Sequence, residues 1–308
     1  GISALALILV TTLSCILTEH FFCTMSGKKS TILDASAVIS GLLLAMTLPP
    51  GFPLWMGAVA GFTAIAMGKT LFGGLGFNIF NPALVGRAFV QAAFPVSITT
   101  WTPALAVDRF SEFIPSTLAL PFMHPLPTAE WSARVAIDGF TGATPLALMK
   151  FQGVMTNSYD LFMGNIAGST GETSTLLILV CGAYLIFRKM LDWRIPAAVI
   201  FGTAVSAELF YLLDPLKYPT PAFMLLSGGL MFAAMFMASD MVSSPVTPLA
   251  IFIFGCLVGF LTVIIRLFGG LTEAVMYAIL FGNAATPIIE TYTQPRIYGA
   301  RKKNQDKS

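Results

Sequence analysis

The chain has 308 residues, of which 56% are hydrophobic and only 10% charged, with a net charge of +2 and a mean hydropathy of +0.81. A soluble domain carries about 25% charged residues, so this composition excludes a soluble globular protein and implies a polytopic membrane protein. Its spans should be helices, because no open sheet satisfies its own backbone in lipid. The small net charge leaves no footprint for nucleic acid, and the cations gather in a few loops instead.

A helical span needs about 20 mostly apolar residues. The first part of the chain offers such runs at 2–19, 32–48, 53–69 and 78–94. The chain opens at Gly1 already inside an apolar run, so a further helix is expected ahead of it. The fourth run is interrupted by Asn78, Asn81, Pro82, Arg87 and Gln91, which predicts a broken or re-entrant helix. Such a helix is allowed only where protein or water covers it. Just before it lies Gly73-Gly74-Leu75-Gly76, where glycines permit close backbone approach. A helix starting near Pro82 would aim its first N–H groups beside Asn78 and Asn81. Arg87 in an apolar stretch requires an acid, a carbonyl or a cofactor oxygen as partner. Gly73, Gly74, Asn78 and Arg87 are therefore candidate cofactor contacts, with tight helix packing through small residues as the simpler reading. Asn81-Pro82-Ala83 also invites a water-channel reading, but at the repeat offset Asn81 meets Tyr277, and the nearby Asn283-Ala284-Ala285 lacks the proline.

The long polar segment 95–173 carries Asp138-Gly139-Phe140-Thr141-Gly142-Ala143-Thr144-Pro145. Written as D-x-x-[S/T]-G-A-T, it is an attachment sequence for FMN esterified through its phosphate to the final threonine, here Thr144. Thr141, Gly142 and Ala143 leave the backbone open to an enzyme bringing a phosphate to that hydroxyl. Asp138 is placed to orient the threonine or to help hold a metal on the flavin donor. A phosphoester leaves the flavin ring unaltered, so one-electron transfer stays available while the protein supplies position and electrostatics. The competing reading is an ordinary Gly- and Thr-rich turn.

The second part offers spans at 174–190, 195–213, 221–239, 248–266 and 270–289, then a basic tail. Lys28 and Lys29, then Arg188, Lys189 and Arg194, mark two loops as cytoplasmic, and Arg296, Arg301, Lys302, Lys303 and Lys307 mark the tail. Four spans separate each group from the next, so parity holds and Thr144 falls on the extracytoplasmic side. Leu71-Phe72-Gly73-Gly74-Leu75 recurs as Leu267-Phe268-Gly269-Gly270-Leu271, Ser40-Gly41 as Ser227-Gly228, and Thr18-Glu19-His20-Phe21-Phe22 as Ala207-Glu208-Leu209-Phe210-Tyr211. Corresponding spans lie five apart, which predicts an inverted repeat of five plus five helices with the first helix missing from this chain. The expected division is 1–94, first membrane repeat; 95–173, extracytoplasmic flavin-bearing segment; 174–290, second membrane repeat; and 291–308, cytoplasmic tail. Glu19 and Glu208 occupy equivalent repeat positions and are candidates for an ion pathway, with Asp34, Asp240 and Glu273 weaker candidates. His20 and His124 are isolated, the four cysteines form no C-x-x-C pair, and no metal site or catalytic residue is predicted.

Leu71 through Phe89, Asp138 through Pro145, and Ala238-Ser239-Asp240 with Ser244-Pro245 together resemble the NqrB/RnfD family, and within it the RnfD proteins of Rnf electron transport complexes. The likeness to the NqrB proteins of sodium-pumping NADH:quinone oxidoreductases is more distant. The resemblance covers essentially the whole chain. It implies one component of a redox-driven ion-translocating ferredoxin:NAD oxidoreductase in a prokaryotic inner membrane. It also implies covalent FMN on Thr144, a non-covalent riboflavin, a flavin transferase for maturation, and the other Rnf proteins (A, B, C, E and G) as partners. The FMN-bearing RnfG protein would exchange electrons with this chain, and the chain alone would hold no complete active site. An NqrB-like protein delivering electrons to quinone is the neighbouring alternative. A non-redox inverted-repeat channel or transporter is the alternative of another class.

Overall fold

The computed structural model describes residues 1–28, 31–103, 109–121, 123, 131, 143–270 and 273–294. Among these residues every regular element is helical, with thirteen α-helices. Four are long and apolar enough to cross a membrane: α1 (Ile2–Met25), α3 (Leu54–Gly68) with the 3-10 turn that extends it to Phe72, α9 (Arg194–Leu213) and α12 (Pro248–Phe268). The chain is an all-α polytopic membrane protein. On α1 the residues Leu5, Leu9, Leu13, Leu17 and Phe21 form an i, i+4 stripe, each more than half exposed, as a lipid-facing side requires.

Three of the other predicted spans are shorter. α2 (Ser36–Met46) has 11 residues, α4 (Pro82–Ala93) has 12 and α8 (Thr175–Phe187) has 13. At about 1.5 Å per residue none reaches across the roughly 30 Å of hydrocarbon. The expected interruption in 78–94 takes the form of a non-helical approach through Gly73–Asn81 and a helix that begins at Pro82. The continuous span expected at 221–239 is corrected: it splits into α10 (Pro221–Leu226), α11 (Leu230–Phe232) and a π turn over Ala233–Met237. Ser227 is extended at the break and Gly228 takes φ +63, a left-handed conformation that glycine adopts without a Cβ penalty. The final helix, α13 (Val275–Thr293), contains Pro287.

Four helices begin with the same chemistry. Asn81-Pro82, Thr144-Pro145, Thr220-Pro221 and Thr247-Pro248 each place a side-chain oxygen on a first-turn N–H. Proline follows where its missing N–H costs nothing.

The two halves pack alike. α1 crosses α3 at Gly57 and Gly61, where a Cβ would run into Leu7 and the Thr11 backbone. α9 crosses α12 at Gly202, Gly255 and Gly259, again with backbone against backbone. Gly86 on α4 rests on Ala60 and Ala64 of α3, while Gly282 on α13 rests on Phe254 and Val258 of α12. One apolar core joins both halves, including Leu44, Phe52 and Leu84 with Val199, Phe254 and Ile279.

The segment 95–173 contributes α5 (Pro95–Ile98), α6 (Pro145–Gln152) and α7 (Ser158–Met163). It is tied to one end of the bundle. Ser116 Oγ donates to the Gly51 carbonyl at 2.6 Å, the Gly171 amide to the Met46 carbonyl at 2.8 Å, and the Ile114 amide to Ser3 Oγ at 2.9 Å. Glu19 lies sixteen residues beyond Ser3 on α1, about 24 Å along the axis. The bundle therefore has a Thr144 end, covered by this segment, and a Lys28 end.

Candidate functional site

At the Thr144 end, Arg87 projects from α4 and is 3% exposed. Its Nη1 donates to Glu172 Oε1 at 3.0 Å and to the Thr47 carbonyl at the end of α2, and its Nη2 pairs with the Glu273 carboxylate. Arg266, in the last turn of α12, donates from Nη1 to the Met224 carbonyl at 2.6 Å and from Nη2 to the Ser227 carbonyl at 3.0 Å. These two carbonyls belong to the end of α10, where the break begins. Arg87, Glu172, Arg266 and Glu273 line one cavity of about 10 Å³ together with Gly229 and Met237. With both carboxylates ionised, two guanidinium cations and two carboxylates cancel, which is the condition for burying charge in lipid.

Thr144 is the N-cap of α6, a helix that reaches this cluster through Leu146 at Gly228 and Lys150 at the Arg266 carbonyl. Its Oγ1 accepts from the Ala147 amide at 3.3 Å, and the residue is 4% exposed. Leu146 packs with Leu161, Ile166 and Phe223, and its Cδ1 would lie 2.6 Å from a Cβ added at Gly228. Lys150 Nζ donates to the Arg266 carbonyl at 2.9 Å and to the Gly269 carbonyl. An ester at Thr144 would put phosphate oxygens at a helix N-terminus, where N–H groups and the helix dipole favour negative charge. The residues present therefore suit a phosphate-anchored group. Ala143 is described next to Thr144, while Asp138, Thr141 and Gly142 lie outside the described residues.

At the Lys28 end, Lys69 Nζ meets Glu19 Oε1 at 2.6 Å and Ser36 Oγ at 2.6 Å. Thr31 Oγ1 donates to the same Glu19 oxygen at 2.6 Å. Ser36 in turn donates from its amide and hydroxyl to Asp34. A cavity of about 550 Å³ opens here, lined by Glu19, Cys23, Lys28, Thr31, Gly73 and Gly74.

A third polar contact joins the two halves. Asn78 Nδ2 reaches Asp240 Oδ2 at 3.5 Å, and Ser243 Oγ donates to the same oxygen at 2.9 Å. Asn81 caps Ala83 and donates to the Met237 carbonyl at 3.0 Å.

The structure thus divides the four candidate contacts. Gly73 and Gly74 border the Glu19 cavity, Asn78 faces Asp240, and Arg87 lies at the opposite end. Glu19 and Glu208 hold equivalent sequence positions but different surroundings: Glu19 is buried and paired, whereas Glu208 is exposed on α9.

The sequence matches the NQR2, RnfD, RnfE family over residues 1–299. The chain belongs to this family. Among family relatives, the D component of a proton-translocating ferredoxin:NAD(+) oxidoreductase complex from Clostridium ljungdahlii is 38% identical over 312 residues, covering 98% of this chain and 86% of the relative. The D component of a Na(+)-translocating ferredoxin:NAD(+) oxidoreductase complex from Acetobacterium woodii is 39% identical over 306 residues, covering 98% and 85%. The D component of an ion-translocating oxidoreductase complex from Halorhodospira halophila is 36% identical over 315 residues, covering 97% and 85%.

Within this NQR2, RnfD, RnfE family member, sequence reasoning passed over Glu172, Arg266 and Lys150. Arg266 offered a signal, being a cation inside an otherwise apolar run. Glu172 and Lys150 offered none, because acids and lysines are ordinary in a polar segment.

Proposed function

We propose that the chain is the RnfD component of a membrane-bound, ion-translocating ferredoxin:NAD oxidoreductase, and that it carries FMN on Thr144 as an electron relay. The observation that carries this reading is the position of the Thr144 hydroxyl at the N-terminus of α6, docked against the bundle beside the buried charge cluster. The names of its relatives, matched along nearly the whole chain, support it.

The flavin would supply electron transfer. The protein's part is position and electrostatics. The first turn of α6 offers a phosphate the N–H groups of Leu146 and of Ala147, which already faces the Thr144 oxygen, Pro145 having none; Leu146 and its apolar neighbours hold the helix against the bundle, and Lys150 fixes its far end. Because Thr144 is only 4% exposed, attachment by a flavin transferase has to occur before α6 docks or while it is displaced. In this reading Thr144 faces the extracytoplasmic side of the inner membrane, where the FMN-bearing RnfG protein exchanges electrons with it. The C-terminus is cytoplasmic, and the two halves form an inverted repeat. The A, B, C and E proteins complete the complex. A riboflavin within the membrane would have to choose among Gly73 and Gly74, Asn78, and Arg87, which do not meet. The ion-pathway role of Glu19 is favoured over that of Glu208 by burial beside a cavity.

The test is intact mass and in-gel flavin fluorescence of denatured wild type and Thr144→Ala, expressed with a flavin transferase. A fluorescent band with the mass of one FMN phosphoester, absent in the variant, is the expected outcome. An unmodified, dark wild type would overturn the anchor and favour a non-redox transporter.

A further inference from the structure

The eight-residue α6 is too short to hold its own shape or place in solution. Two contacts fix it. Near Thr144, Leu146 fills the notch at Gly228, where any side chain would collide with it. At the other end, Lys150 donates to the Arg266 and Gly269 carbonyls at the end of α12. The Leu146 contact meets the break after α10 directly, and the Lys150 contact reaches it through Arg266, whose backbone carbonyl it holds and whose guanidinium holds the break. Arg266 holds that break through the Met224 and Ser227 carbonyls, and Glu172, gripped by Arg87, occupies the space beside Gly229. The helix bearing Thr144 is thus seated on a discontinuity whose shape depends on two buried arginines.

We propose that Lys150 is a positioning residue. By tying α6 to the end of α12 it sets the orientation of Thr144, and of any group esterified there, against the broken helix. Lys150 lies six residues from Thr144, about 9 Å along the helix, so it acts through the helix and not on the esterified group. The proposal rests on the Thr144 reading. It adds that the relay's geometry is held from the membrane body, at the cluster that joins the two halves.

The experiment uses the full chain matured with a flavin transferase, as wild type, Lys150→Met, Lys150→Gln and Lys150→Arg. Methionine keeps the apolar stem and removes the donor, glutamine keeps a donor on a shorter stem, and arginine keeps the charge. Covalent flavin content is measured first, then amide exchange over residues 145–152 and the fluorescence anisotropy of the attached flavin. Expected are unchanged flavin content, exchange in α6 faster by about tenfold in Lys150→Met, and lower flavin anisotropy. Lys150→Gln should fall between, and Lys150→Arg should restore most of both signals. Full flavin content with unchanged exchange and anisotropy in Lys150→Met and Lys150→Gln would overturn the positioning role while leaving the Thr144 reading intact. Wild type without covalent flavin would overturn that reading, and this one with it.

Discussion

The two ends of the bundle solve the burial of charge in different ways. At the Lys28 end, Lys69 follows α3 just before Leu71-Phe72-Gly73-Gly74 and neutralises Glu19 from α1, with Ser36 at the start of α2 sharing its ammonium. All three residues belong to the first half. At the Thr144 end, Arg266 closes α12 just before Leu267-Phe268-Gly269-Gly270, yet its guanidinium satisfies carbonyls freed by a broken helix. The carboxylates nearby are held by Arg87, which belongs to the other half. Similar sequence surroundings thus place a cation at each end. One closes a pair within its own half, and the other joins a network that sews the halves together. Residue type follows role: lysine serves a point contact, whereas arginine offers the fork needed to bridge several acceptors at once.

Removing Arg87 should break this comparison most severely. Arg87→Leu leaves Glu172 and Glu273 buried without their cation, a loss of about 3–5 kcal/mol. The variant is expected to lose its cooperative thermal transition in detergent at temperatures where wild type is folded. A midpoint within a few degrees of wild type would mean that the halves hold together without the cluster. Lys69→Met should cost less, about 3 kcal/mol, because Thr31 still bonds Glu19. Adding Glu19→Gln should recover most of that loss in a double-mutant cycle, and strict additivity would show that the pair is not coupled. Smallest is Asp34→Asn, about 0.5–1 kcal/mol for the charge on the bonds that start α2, since an amide oxygen still accepts them. Burial alone would raise the Asp34 pKa, but the Ser36 hydroxyl and amide and the Lys69 ammonium outweigh it, so the carboxylate sits below its ordinary range. Its contribution is therefore complete above an unfolded value of about 3.9 and lost as pH falls through the lowered folded value. Wild type and variant should differ by a constant amount from neutral to mildly acid pH and converge only in strong acid.

Much of the architecture was legible because it rests on local rules. Composition fixed the membrane class, and Asn81-Pro82 announced the start of α4 through its cap and missing N–H. Arg87 announced that partners must exist. Their identity was not legible, since Glu172 and Glu273 lie 85 and 186 residues away and only packing brings them together. The break after α10 was written as Ser227-Gly228-Gly229, but the apolar residues on both sides read as one span. Equivalence of Glu19 and Glu208 in the repeat was equally misleading about surroundings, because burial depends on the face each helix turns to its neighbours.

With both carboxylates ionised, the Arg87–Glu172–Arg266–Glu273 cluster carries no net charge, and this has an electrical consequence. On groups that move together, a membrane potential does work only on their net charge, about 2.3 kcal/mol per elementary charge per 100 mV. Four side chains whose charges cancel can shift together across part of the bilayer without the voltage helping or opposing them. Rearrangement of these four side chains would then respond to local chemistry and remain indifferent to how strongly the membrane is energised.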